Sequence, residues 1–187
     1  MALRMIRVEG DEILKKRSKE VKQMTERTQE LIDDMIETVH DAYGAGLAAV
    51  QVGVLKRICI VTVEPPEEEL DEEGNPIPID PLIHNNGEDL VIINPEVIVN
   101  SDEMQCDTEG CLSFPGKFGY VERPNDITLK AFDRNLKPYE LRAKGLFARA
   151  IQHECDHMDG IVYVDKVLNG EIYEAVPEDE EGEETQE

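Results

Sequence analysis

The stretch Leu146 to Met158 sets two histidines and a glutamate (His153, Glu154, His157) in a run that is otherwise apolar nearly all round: Leu146, Phe147, Ala148, Ala150 and Ile151. A helix apolar on every side packs among other elements rather than at a surface. The run therefore predicts a buried helix over 146–158, released at Gly160. Burial makes its polar residues informative, because an unpaired buried charge is costly. His153 and His157, four apart, stand one turn apart on one helical face, so both imidazoles reach a single metal ion. Glu154 projects about 100° further round and can touch a water on that ion without being a ligand. The bland alternative, a hydrogen-bonded pair of core histidines, is disfavoured by the apolar surroundings.

A catalytic metal site needs a third protein donor, and no His follows His157. Cys111 is the candidate, in the tight segment Glu109-Gly-Cys-Leu-Ser113, where Gly110 permits close backbone approach. Two imidazoles and a thiolate leave a fourth position open. The other cysteines have simpler readings: Cys59 alternates within an apolar strand, Cys106 lies among polar residues, and Cys155 is off the histidine face. His40 and His84 read as solvated. Gly44-Ala-Gly-Leu-Ala-Ala-Val-Gln51 is not a phosphate cradle, since no Lys-Ser/Thr follows it, but Gln51 offers an uncharged amide donor.

Around these motifs the pattern is α+β: small, mostly antiparallel sheets packed around the buried metal-binding helix. An amphipathic helix is predicted over Thr25 to Ala42, with Thr25 as cap. β-type runs cover 57–63, 90–93, 97–99, 109–113, 119–121 and 127–132, and a hairpin leads into 139–142. The formal net charge is −23, from 42 acids against 19 bases. Residues 64–89 hold ten acids and residues 171–187 nine, with no Lys or Arg in either; without them 23 acids face 19 bases. The expected organisation is thus a single catalytic domain over 1–170, interrupted by an acidic, proline-rich, mobile surface insertion at 64–89 and followed by an acidic disordered tail at 171–187. This charge excludes a basic nucleic-acid footprint. No apolar run nears the roughly 20 residues that span a bilayer, and the four unclustered cysteines suit a reducing cytoplasm.

Taken together and in order, Gly-x-Gly-Leu-Ala-Ala-x-Gln (44–51), Glu-Gly-Cys-Leu-Ser (109–113) and Gln-His-Glu-x-Asp-His (152–157) resemble the peptide deformylases. The resemblance spans about residues 4 to 168. It implies the deformylase α+β fold and removal of the N-formyl group from N-terminal formylmethionine of newly made polypeptides, with release of formate. It implies Cys111, His153 and His157 as ligands of one divalent metal ion, natively Fe²⁺ with Zn²⁺ or Ni²⁺ as substitutes. A water on that ion would attack the formyl carbon with Glu154 as general acid/base, while Gln51 and the Leu112 N–H hold the oxyanion. Ala45, Gly46 and Gly110 would let an extended formylmethionyl peptide come close, and Leu146 and Ala150 would face its methionine.

Val50 stands where proline is common in the family, Glu12 where Asp-Pro is common, and Phe118 in a region where some members carry a peptide-contacting arginine. The acidic tail is unlike the basic helix by which some members bind the ribosome, so ribosome proximity through such a helix is not expected. Two rival readings are a zinc metalloprotease, which would cleave internal peptide bonds, and a non-enzymatic structural metal module, which would need a fourth protein ligand.

Overall fold

The computed structural model describes residues 2–67, 70–71 and 75–175. Helix α1 runs Glu26–Asp41; the extended Thr25 caps it, its hydroxyl accepting the Thr28 N–H at 3.2 Å. Its buried stripe holds Leu31, Ile32, Met35 and Val39, as the sequence spacing requires. The chain then passes through β1 (Gly46–Ala48), a 3-10 turn over Ala49–Val52, and β2 (Ile58–Val61). Next come β3 (Leu90–Val99), β4 (Met104–Cys111), β5 (Phe114–Pro124), β6 (Asp126–Phe132) and β7 (Pro138–Lys144). Helix α2, Gly145–Met158, follows, and β8 (Tyr173–Glu174) is last.

Two antiparallel sheets result, a five-stranded one in the order β1-β2-β3-β6-β7 and a three-stranded one in the order β4-β5-β8. Strand β2 shows why its sequence is apolar throughout. Ile58 and Ile60 pack with Ile32, Met35 and Val39 of α1, whereas Cys59 and Val61 pack with Phe147, Ala148 and Ile151 of α2. Alternate side chains thus enter two cores, and none of these four is exposed. A fully buried aliphatic side chain contributes about 1.5–3 kcal/mol, so α2 is seated on a rigid support. The small sheet contributes Phe114 and Val121 to a third buried cluster, with Leu14, Val162 and Tyr163.

Three expectations are corrected. The two runs at 90–93 and 97–99 are one strand, because the register slips between Ile93 and Glu96. Asn94 turns to φ 50° there, and its side chain bonds the Val21 N–H and C=O at 2.9 Å each. The insertion carries no helix and only the isolated bridge Leu70–Pro76 among its described residues. Its second half is nonetheless anchored rather than loose: Asn85 bonds the Val63 N–H and the Val61 carbonyl, and the Lys144 N–H donates to the Leu82 carbonyl at 2.7 Å. Finally, the first residues of the expected disordered tail are ordered. Tyr173 and Glu174 pair with Phe118 and Lys117, since an open edge of β5 offers backbone partners without requiring burial. The rest of that tail, 176–187, lies outside the described residues.

Near the other end of the chain, the Arg7 N–H donates to the Gln51 carbonyl at 2.7 Å and the Glu9 N–H to the Ser113 carbonyl at 2.8 Å. One short segment thereby ties the Gln51 turn to the segment that follows β4.

Candidate active site

His153, Glu154 and His157 are 8%, 4% and 0% exposed, as a buried α2 demands. Cys111 closes β4, and the register shifts between Gly110 and Cys111, the kind of irregularity that re-aims a side chain. Cys111 Sγ lies 3.2 Å from His157 Nε2, and the donor atoms of Cys111, His153 and His157 all fall within 4.8 Å of one another. Donors about 2.0–2.3 Å from one tetrahedral ion stand some 3–4 Å apart, so the cluster fits a single cation. No fourth protein donor joins it among the described residues, which leaves an open position and argues against a closed structural site.

The imidazoles are prepared differently. His153 Nδ1 donates to Glu109 Oε2 at 2.9 Å, which leaves Nε2 for the cation. Against the pull of burial, Cys111 and Glu109 hold His153 up to about 10, so a cation must displace a proton there. Burial keeps His157 well below the ordinary histidine range, and its Nδ1 has no partner. The ring of Tyr163 stacks on His153 at 6.0 Å.

Behind His153 is a charged cluster that motif reading does not anticipate. Glu109 is 5% exposed and accepts Arg123 Nη2 at 2.8 Å and Arg149 Nη1 at 2.6 Å. Arg149, 2% exposed, is turned inward and also donates to the carbonyls of Val121 and Gln105. Arg123 reaches on to Asp156 Oδ2 at 2.8 Å. Burial pushes the Glu109 carboxyl up, but Arg123 and His153 outweigh it and hold it far below the usual range. The available signal was Arg149 alone, in the otherwise apolar run 146–151, since a buried guanidinium demands a carboxylate. It did not say which carboxylate, because the partner lies 40 residues away.

Glu154 is the opposite case. Its Oε2 is buried and has no hydrogen-bond partner, and burial raises the carboxyl to about 7. Orphaned buried acids of this kind concentrate at functional sites. Gly46 makes the room, since a Cβ there would lie 2.5 Å from Glu154 Oε1. Gln51 is 1% exposed; its Oε1 accepts the Ala48 N–H at 2.7 Å, which aims Nε2 at Ser113 Oγ (3.1 Å) and Cys111 Sγ (3.4 Å).

These groups open into a cleft of about 500 Å³. Gln51, Leu112, Ala45, Gly46, Gly110, Leu146, Ala150, Cys111, His153 and Glu154 all line it, whereas His157 does not. Leu146, 56% exposed, belongs to the rim rather than the floor. Tyr43, Phe118 and Arg149 also line the cleft, and no described residue of the insertion does.

An open-sided cation site with an unpaired, near-neutral carboxyl beside it, facing a cleft of substrate size, defines a metal-dependent hydrolase. Comparison with known proteins narrows the class. The family model described as polypeptide deformylase matches residues 3–171. The peptide deformylase of Lachnoclostridium phytofermentans is 49% identical over 184 residues, covering 98% of this chain and 100% of that protein. That of Finegoldia magna is 42% identical, covering 90% and 92%. The crystal structure of peptide deformylase from Ehrlichia chaffeensis superposes with a TM-score of 0.76 at 38% identity, covering 90% of this chain and 89% of that one. The chain belongs to the polypeptide deformylase family. Its activity is that of the family, metal-dependent removal of the N-formyl group from nascent peptides.

Proposed function

We propose that Cys111, His153 and His157 hold the metal ion, natively Fe²⁺, and that Glu154 is the general acid/base acting on N-formylmethionyl nascent peptides in the cytoplasm. The observation that carries this is the Glu154 carboxylate, buried without a partner beside three converging donors. When bound, the divalent ion supplies Lewis acidity and lowers the pKa of water from about 15.7 towards 7. A carboxyl near 7 is matched to taking a proton and returning it to the leaving amine at neutral pH. Gln51 Nε2 and the Leu112 N–H stabilise the developing oxyanion; losing one such donor costs about 2.7–4 kcal/mol. Gln51 Nε2 donates to Ser113 Oγ and, over a longer distance, to Cys111 Sγ, and the longer contact, to sulfur, is the one it would share with substrate.

Strands β1 and β4 are each the edge of their sheet, and both line the cleft. An extended peptide can add its backbone there, with Ala45, Gly46 and Gly110 giving clearance and Ala150 and Leu146 facing the methionine. The deformylase of Ehrlichia chaffeensis is also known in complex with actinonin; that compound is expected to compete with formyl peptides here. The acidic chain makes no direct grip on nucleic acid.

The test is formate release from formyl-Met-Ala-Ser, with metal content measured on protein purified without oxygen. Glu154→Ala should keep the metal and lose at least about 100-fold in kcat, whereas Cys111→Ser should lose metal. Near-normal turnover by Glu154→Ala refutes the acid/base role, and zinc in place of iron refutes the metal assignment.

A further inference from the structure

The end of α2 borders a second cavity that the chemistry above does not use. Asp156 and Asp159, neighbours one turn apart, line it with Arg57, Arg123 and Lys166, and its volume is about 250 Å³. It shares no lining residue with the cleft. A water molecule's share of liquid volume is about 30 Å³, so the cavity has room for a tetrahedral anion.

Its charges do not balance. Asp156 Oδ2 accepts from Arg123 Nη1 at 2.8 Å and from Lys166 Nζ at 2.6 Å. Asp159 Oδ1 accepts from Arg57 Nη1 at 2.7 Å and from Arg17 Nε at 3.2 Å. Arg123 in turn shares Glu109 with Arg149. Five cations thus share three carboxylates, a surplus of two positive charges. Arg57 is the least satisfied of them. Its side chain is 15% exposed, and among the described residues Asp159 is the one hydrogen-bond partner of its guanidinium. Most of its five N–H donors therefore remain for a ligand.

The surroundings carry the same sign. Residues 15–22 hold Lys15, Lys16, Arg17, Lys19 and Lys22 against Glu20 alone. This segment runs beside Arg57, whose backbone N–H donates to the Lys19 carbonyl at 2.8 Å. The acids that make the chain −23 are concentrated in 64–89 and 171–187, and no described residue of either lines the cavity. Charges farther off than about 8 Å are largely screened at physiological salt.

We infer that this cavity binds a doubly charged phosphate, free or as the end group of a phosphomonoester, with Arg57 and Lys166 as its main contacts. A planar guanidinium fork matches phosphate oxygens. The surplus of two suits a dianion, unlike the single charge on each phosphate of a nucleic-acid strand.

The experiment is calorimetric titration of the metal-loaded enzyme with inorganic phosphate at constant ionic strength and about pH 8, where phosphate is a dianion. One site per chain is expected, with a dissociation constant of about 1 mM. Arg57→Ser and Lys166→Ser should each weaken binding about tenfold, the effect of losing one charge-assisted hydrogen bond, while kcat with formyl-Met-Ala-Ser stays at the parent value. Asp159→Asn releases Arg57 and should bind phosphate several-fold more tightly, a gain that misfolding does not produce. Formate, singly charged, should bind at least about tenfold more weakly than phosphate. Glycerol 3-phosphate binding as tightly as phosphate assigns the site to phosphomonoesters, and its exclusion assigns it to free phosphate; either result sustains the site. Because the cleft is separate, KM for formyl-Met-Ala-Ser should not move as phosphate fills the cavity. The inference is overturned by an absence of binding up to about 10 mM, by unchanged affinity in the two serine variants, or by no gain in Asp159→Asn. Formate binding as tightly as phosphate overturns the dianion assignment, and a KM that climbs in step with occupancy places the phosphate in the cleft and overturns the second site.

Discussion

Gly46→Ala adds one methyl group next to the assigned acid/base. The new Cβ would stand 2.5 Å from Glu154 Oε1 and 2.8 Å from its Cδ and Cγ. Carbon contacts settle at about 3.5–4.0 Å, so the carboxylate must retreat by about 1 Å. The backbone does not resist the change, since Gly46 is not among the glycines with positive φ, and an alanine within a strand is if anything more stable than a glycine. A misplacement of about 1 Å can cost some 100-fold in rate, equivalent to about 2.7 kcal/mol of barrier. The expected result is therefore a kcat about 100-fold lower, with metal content and thermal midpoint close to those of the parent. Formate release under saturating formyl-Met-Ala-Ser reads kcat, and the concentration series reads KM. A kcat within about threefold of the parent, which is under 1 kcal/mol, would refute the claim that Glu154 works from this position. A rise in KM alone would mean that Gly46 matters only for peptide clearance.

Glu109→Gln removes the charge that Arg123 and Arg149 share, and breaking a buried ion pair costs about 3–5 kcal/mol. Urea unfolding should show a loss of that order and metal titration a 10–100-fold weaker site, about the usual cost of losing such a support; a loss below about 1 kcal/mol would show that the guanidiniums find water instead. Asp126 is held well below its ordinary value, first by hydrogen bonds from Arg142 and then from Asn100. A depressed folded pKa contributes stability that is full above the unfolded value of about 3.9 and is lost as pH falls through the folded one. Asp126→Asn should therefore unfold more easily than the parent at pH 7, and the gap should shrink on acidification below about pH 4; a gap that does not depend on pH would show that the Arg142 pairing is not its source.

What the sequence made legible was local or periodic. Thr25 announced a helix start because a hydroxyl before a helical stripe can accept an orphan N–H, and it does so. The i, i+4 histidines implied their convergence because helical geometry alone guarantees it. Cys111 could be placed with them only by resemblance and by counting donors, since nothing in a strand's pattern says which way a slipped register turns its last residue. The Glu109–Arg123–Arg149 cluster was not legible: it spans two strands and a helix, and ion pairing leaves no periodic trace. Nor was the unity of β3, because Asn94-Pro95 reads as a break, whereas an asparagine that tolerates φ 50° lets the strand continue past it.

The backbone bonds from Arg7 and Glu9 to Gln51 and Ser113 bear on how a copy of this enzyme comes into being. The parts they join are made at very different moments of translation, and α2, which brings His153 and His157, is made later still. A copy still on the ribosome cannot assemble a working centre until that last helix has emerged from the exit tunnel. Every growing copy must then depend on finished ones for any trimming that has to happen early.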